Sequence, residues 1–187
     1  MIFRGVLLAT NIVWLVLELR QATRRRAEAV RVGRDTTAVL IFTVVIGFGG
    51  AFVAVRSAPA ATIDPRAAGD WAGVVLIWLG VALRVWSFQT LGRYFTFRLS
   101  TSADQPVITS GPYRVVRHPS YSGLLLAFMG VGLTIGNWIS FASLTIGTLF
   151  GLAYRIWVEE LALTQALGER YLRYKATVRR RLIPYVW

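Results

Sequence analysis

Cysteine is absent from all 187 residues, histidine occurs once as His118, and Lys175 is the one lysine. The first absence excludes disulfides, thiol nucleophiles and cysteine-ligated metals, and a single imidazole excludes a multi-histidine metal site within one chain. Acid is also scarce, with nine Asp and Glu against 21 Lys and Arg for a net charge of +12. The run Gly47-Phe48-Gly49-Gly50 is no phosphate loop, because it sits inside an apolar stretch and lacks the strand, helix entry and lysine such loops require. Internal repeats, low-complexity tracts and linkers long enough to separate distinct folding units are missing too. One domain over residues 1–187 is expected, with N-terminal spans over 1–83 and the chemistry in 84–187.

What is present is apolar. A content of 55% hydrophobic residues is too high for an ordinary soluble domain. About 20 apolar residues cross the hydrocarbon as a helix, and runs of that order lie near 2–19, 36–55, 71–91, 120–136 and 139–157. The chain therefore reads as an all-α integral membrane protein of about five transmembrane helices. The fourth and fifth are joined by little more than Gly136-Asn137-Trp138, which demands a tight helical hairpin. The first run lacks a small-residue cleavage site and is expected to be a retained span.

Basic residues set the orientation. Arg20, Arg24, Arg25, Arg26, Arg31 and Arg34 crowd the first loop, and Arg170 to Arg181 crowd the tail, so both belong in the cytosol. No nucleic-acid recognition module surrounds the positive charge, which makes anionic lipid headgroups the expected partner. The excess of arginine over lysine suits a GC-rich genome, and a bacterial cytoplasmic membrane is the expected compartment.

Polar residues then concentrate where spans meet water. Arg117-His118-Pro119-Ser120-Tyr121-Ser122-Gly123 opens the fourth span, and Arg155-Ile156-Trp157-Val158-Glu159-Glu160 closes the fifth. Charges at the end of an apolar span are costly and usually face a cavity or a partner. Arg155 and Glu159 are four apart and share a helix face, whereas Glu160 lies about 140° further round, so the three converge only if the helix bends or ends there. Arg84 in the third span poses the same question, with no acidic neighbour in sequence. The 92–118 loop carries Pro106, Gly111 and Pro112 and cannot be one regular helix. The 159–178 tail reads as an amphipathic helix with Leu163, Leu167, Tyr171, Tyr174 and Val178 on one face. Gly132 with Gly136 and Gly147 with Gly151 fit close helix packing.

An ordered set of motifs now becomes usable: Leu91-Gly92, Thr109-Ser110-Gly111-Pro112-Tyr113, the Arg117 to Gly123 run, Arg155 with Glu159-Glu160, and Leu167-Gly168-Glu169-Arg170-Tyr171-Leu172-Arg173-Tyr174. From about Arg84 to Pro184 the chain resembles the isoprenylcysteine carboxyl methyltransferase family, related to the phospholipid N-methyltransferases. That resemblance implies a membrane-embedded helical bundle that binds S-adenosylmethionine from the cytosolic side and methylates the carboxylate of a lipophilic substrate. It implies that Gln105, Pro106, Val107, Ile108, Tyr113, His118, Pro119, Ser120, Tyr121 and Glu159 surround the cofactor. Arg155 and Glu160 are the implied catalytic pair, with Glu160 fixing the Arg155 guanidinium, and Arg84 joins Arg155 on the substrate. No metal is implied. Departures from the family pattern fall around Arg98 and Gln105. An amine acceptor, as in phospholipid N-methyltransferases, is the alternative, and a non-enzymatic membrane scaffold is a third reading.

Overall fold

The computed structural model describes residues 2–22, 30–31, 36–92, 100–101, 106–184 and 187. Each expected span is a helix: α1 (Ile2–Ala22), α2 (Thr36–Ser57), α3 (Arg66–Leu91), α4 (Pro119–Ile135) and α5 (Trp138–Leu167), followed by a short α6 (Glu169–Thr177). By length and composition α2, α3 and α5 are able to cross a membrane, and α4 is a shorter apolar helix. At 1.5 Å per residue its 17 residues reach about 25 Å, a little less than a hydrocarbon core of about 30 Å. Short turns Pro59–Ala61 and Gly111–Arg114 are 3-10. A two-residue antiparallel pairing, β1 (Val30–Arg31) with β2 (Ser100–Thr101), joins the first and third inter-helix loops.

Sequence neighbours α3, α4 and α5 pack in succession, α2 returns to lie against α5, and α1 rests on α3. Small residues permit the closest crossings. A Cβ on Gly80 would collide with the carbonyl oxygen of Gly123, and one on Gly130 would stand 2.5 Å from that of Gly73. These two contacts, seven residues apart on each helix, interlock antiparallel α3 and α4 backbone to backbone. Gly80→Val is therefore expected to cost about 1–3 kcal/mol through overpacking, read as a lower Tm of the detergent-solubilised protein. An unchanged Tm would show that the crossing is looser than described.

The expected glycine pairs divide. Gly147 and Gly151 do face α2, against Thr43 and Leu40, and Gly132 faces Phe141. Gly136 serves the turn: at φ 79° it is the left-handed residue that ends α4, close against the Arg66 guanidinium. The next residue, Asn137, caps α5 by accepting from the amides of Ile139 (3.0 Å) and Ser140 (3.1 Å). Its Nδ2 donates to Ala58 O at 2.8 Å, and Ile63 N donates to Gly136 O at 3.0 Å. The tight hairpin and the α2–α3 loop are thus clasped at one end of the bundle.

The opposite end corrects one expectation. The fifth helix does not finish near Trp157 but runs unbroken through Glu159 and Glu160 to Leu167, because Glu, Leu, Ala and Gln over 159–167 all favour helix. Gly168, at φ 52°, then separates it from α6. The tail stripe is real but belongs to two helices: Leu167, Tyr171, Tyr174 and Val178 form one buried cluster with Leu163 and Val107 packed on it. Its apolar face turns inward.

Candidate active site

Two acids on consecutive residues, Glu159 half-buried and Glu160 buried, organise the end of the bundle where α4 begins. Glu160 is 5% exposed, and its Oε1 accepts from Arg117 Nε at 2.8 Å and lies 2.7 Å from Arg117 Nη2. Its Oε2 accepts from Arg181 Nε at 3.2 Å, with Lys175 Nζ at 3.8 Å. The guanidinium that meets Glu160 is therefore that of Arg117, not that of Arg155 as expected. The reason is rotational: on an unbroken helix Glu160 points about 140° away from Arg155.

Arg117 also gathers the chain end. Its Nη1 donates at 2.8 Å to both Val178 O and Arg179 O. The amides of Arg117 and His118 donate to Arg180 O and Arg181 O, each at 2.9 Å. Ser122 Oγ donates to Leu182 O, and the Leu182 side chain is fully buried against Leu125, Leu152 and Ile156. Residues 178–182 thus form a strap that closes the site from below.

Glu159 faces the other way, toward Tyr121 on α4. Tyr121 OH donates to Glu159 Oε2 at 2.6 Å and accepts from Arg155 Nε at 2.7 Å. Arg155 Nη1 reaches the hydroxyls of Thr37 (2.9 Å) and Thr36 (3.3 Å) at the start of α2. Thr37, Arg155, Tyr121 and Glu159 therefore form one continuous polar chain across three helices. His118 stands between the acids, with Nε2 at 3.4 Å from Glu160 Oε1 and Nδ1 at 3.8 Å from Glu159 Oε2. Its ring lies parallel to that of Tyr121, at 5.5 Å and 5°.

Arg84 has the acidic partner that its sequence surroundings did not show. Its Nε and Nη2 donate to the two carboxylate oxygens of Glu18, at 2.5 and 2.7 Å, and its Nη1 donates to Ser120 O at 2.8 Å. Every nitrogen of this guanidinium is engaged by the protein, and it braces α1, α3 and α4 together. A lone acid within the apolar first span was the available signal, since a charge there needs a partner.

The remaining expected residues are arranged around this core. Tyr113, Pro119 and Ser120 are buried, Val107 and Ile108 are half-buried, and Pro106 is exposed. Gln105 and Arg98 lie outside the described residues, as do most of the first-loop arginines. Tyr174 OH donates to Tyr113 O at 2.8 Å, which ties α6 to the Gly111–Arg114 turn. Burial raises the phenol of Tyr171 well above its usual value, and the charges of Glu160 and Glu159 raise it further. Burial likewise raises Tyr113 and Tyr174. All three stay protonated donors at any working pH. Sequence reasoning missed Glu18, Thr36, Thr37, Arg181 and the pairing role of Arg117, which come from elements far apart in the chain.

Comparison with known proteins supplies an independent line. The sequence model of the phospholipid methyltransferase family matches residues 69–170. Protein-S-isoprenylcysteine O-methyltransferase B of Arabidopsis thaliana is 34% identical over 108 residues, 57% of this chain and 55% of that one. A probable protein-S-isoprenylcysteine O-methyltransferase of Oryza sativa subsp. indica is 32% identical over 111 residues, 58% of each chain. Among solved structures, a eukaryotic intramembrane Ras methyltransferase, isoprenylcysteine carboxyl methyltransferase, superposes with a TM-score of 0.60 at 25% identity, over 78% of this chain and 52% of that one. The chain spans about half the length of the curated relatives it matches.

Proposed function

The chain belongs to the phospholipid methyltransferase family, and from that premise we propose that it transfers a methyl group from S-adenosylmethionine to the carboxylate of a lipophilic acceptor in the membrane. The observation that carries this reading is the Arg155–Tyr121–Glu159 chain at the end of an apolar bundle. A carboxylate is already nucleophilic at neutral pH, so it needs orientation and dry surroundings rather than a strong base. Arg155 supplies the orientation. Tyr121 fixes its Nε and the α2 threonines fix Nη1, which sets the guanidinium plane before an acceptor arrives. A single charge-assisted bond from such a guanidinium holds one carboxylate oxygen and leaves the other to attack.

The donor set also fits the cofactor. Glu159 is the more open acid, with 25% of its side chain exposed against 6% for Glu160, and Tyr121 engages only one of its oxygens. That leaves carboxylate capacity for ribose hydroxyls, beside the flat rings of His118 and Tyr121. Tyr113, Pro119, Ser120 and the 106–108 segment complete the set, with Gln105 adjoining it. When bound, S-adenosylmethionine supplies an electrophilic methyl on a sulfonium centre. Glu160, held by Arg117, His118 and Arg181, fixes His118 and the strap instead of contacting the acceptor. The arginine-rich end that carries the site faces the cytosol on this reading, in keeping with the positive-inside rule.

Incubation of the purified chain with methyl-labelled donor and a total membrane lipid extract tests the proposal. Label released by alkali as methanol is expected. Label held only in base-stable headgroups would replace the carboxylate reading with amine methylation, which the family description keeps relevant. His118→Ala and Glu159→Ala are each expected to weaken S-adenosylhomocysteine binding at least about tenfold, since each removes a charged or hydrogen-bonding partner worth more than about 1.4 kcal/mol. Wild-type affinity in both would remove these residues from the cofactor site.

A further inference from the structure

A second constellation lies outside the polar chain that serves methyl transfer. A groove of about 590 Å³ opens between the Gly111–Arg114 turn and α6, lined by Arg114, Arg170, Arg173, Thr109, Thr177 and Tyr174. Its apolar part comes from Val107 and Val178. The helix contributes positions 170, 173, 174 and 177, which the 3.6-residue period places on one face. The bond from Tyr174 OH to Tyr113 O, at 2.8 Å, clamps the two walls together. Arg114 lies in the turn that forms one wall and Arg173 on α6, which forms the other, so each wall contributes an arginine to the groove. No acid is among its described lining residues. Like charges held together repel, and an anion between them removes that cost.

We infer that this groove binds the phosphate of an anionic phospholipid headgroup. Arginine forks suit phosphate oxygens in bidentate geometry, and the threonine hydroxyls add donors at the rim. Depth selects the lipid as the source. Trp138, half exposed, starts α5 at the clasped end of the bundle, as a tryptophan at a membrane interface does. From there the 30 residues of α5 extend about 45 Å, which equals the full bilayer including both headgroup layers. The helix that lines the groove begins one residue beyond, at Glu169, so its arginines stand at the level of the opposite headgroups. A bound headgroup would also meet Val107, within the 106–108 segment assigned to the cofactor, and Thr109 beside it.

The test uses the full chain in a neutral detergent, titrated with dioctanoyl phosphatidylglycerol, dioctanoyl phosphatidylcholine or inorganic phosphate and followed by native mass spectrometry. Phosphatidylglycerol is expected to bind at least tenfold more tightly than either competitor. The exposed double substitution Arg114→Gln/Arg173→Gln is expected to lower that affinity at least tenfold. Arg114→Lys/Arg173→Lys, which keeps the charge and loses the fork, should fall between, and Arg56→Gln at the far end of α2 should match wild type. Equal binding of phosphatidylcholine, inorganic phosphate as tight as the lipid, or unchanged affinity in the glutamine double variant would each overturn the inference. Loss of affinity in Arg56→Gln equal to that in the double variant would do the same, by showing a diffuse charge effect.

Discussion

Arg155→Ala is expected to reduce methyl transfer by about 100- to 1,000-fold, the scale on which removal of one preorganised donor acts, while S-adenosylhomocysteine affinity stays within about twofold. The asymmetry follows from the polar chain. Removing the guanidinium leaves Tyr121 still donating to Glu159, so the carboxylate assigned to the cofactor keeps its partner. The group assigned to the acceptor is lost. Arg155→Lys should rescue little, because an ammonium cannot reach Tyr121 OH and the Thr37 hydroxyl together as the planar fork does. Thr37→Ala should act in the same direction but more weakly, raising KM for the acceptor severalfold with kcat less affected, since it loosens the orientation of Arg155 without removing it. Paired measurements of transfer and cofactor affinity decide the matter. A parallel loss of both in Arg155→Ala would move this residue into the cofactor site and sink the proposed division of roles.

How much of this was legible in the sequence depends on the range of the interaction. Helix existence was readable because it rests on local hydropathy, and the expected spans lie within a few residues of α1 to α5 at most ends. The exception, the C-terminal end of α5, came from treating charge at Glu159 and Glu160 as a membrane boundary. Helix propensity, which ignores that boundary, carries the helix on to Gly168. Pairing was a different matter. Arg84 meets Glu18 across 66 residues and Arg117 meets Glu160 across 43, and both contacts depend on which helix faces meet. Those faces are set by close crossings such as Gly80 on Gly123, which no periodicity in either helix alone discloses. The four residues that the family resemblance groups, Arg155, Glu159, Glu160 and His118, lie in one neighbourhood around Tyr121. The resemblance misassigned the partner within the group, since Glu160 turns to Arg117 and the strap while Glu159 turns to Tyr121.

That division of partners makes Arg117 the residue whose loss should do most harm to folding. Arg117→Ala leaves the buried Glu160 without its main counter-charge and the carbonyls of Val178 and Arg179 without a donor. Breaking a buried pair from one side costs about 3–5 kcal/mol, which for a chain of this size corresponds to a Tm lower by about 10 °C. Arg181 and Lys175 remain near the acid and keep the loss toward the lower figure. A paired replacement, Arg117→Met with Glu160→Met, removes both buried charges at once and should recover part of the Tm, because an apolar pair of similar volume needs no desolvation while the carbonyls of Val178 and Arg179 still lack their donor. Transfer should not recover with it, since His118 then loses the carboxylate 3.4 Å from its Nε2. If the double variant regained full activity along with its stability, the pair would be a structural brace only, and His118 would take its orientation from Glu159 alone.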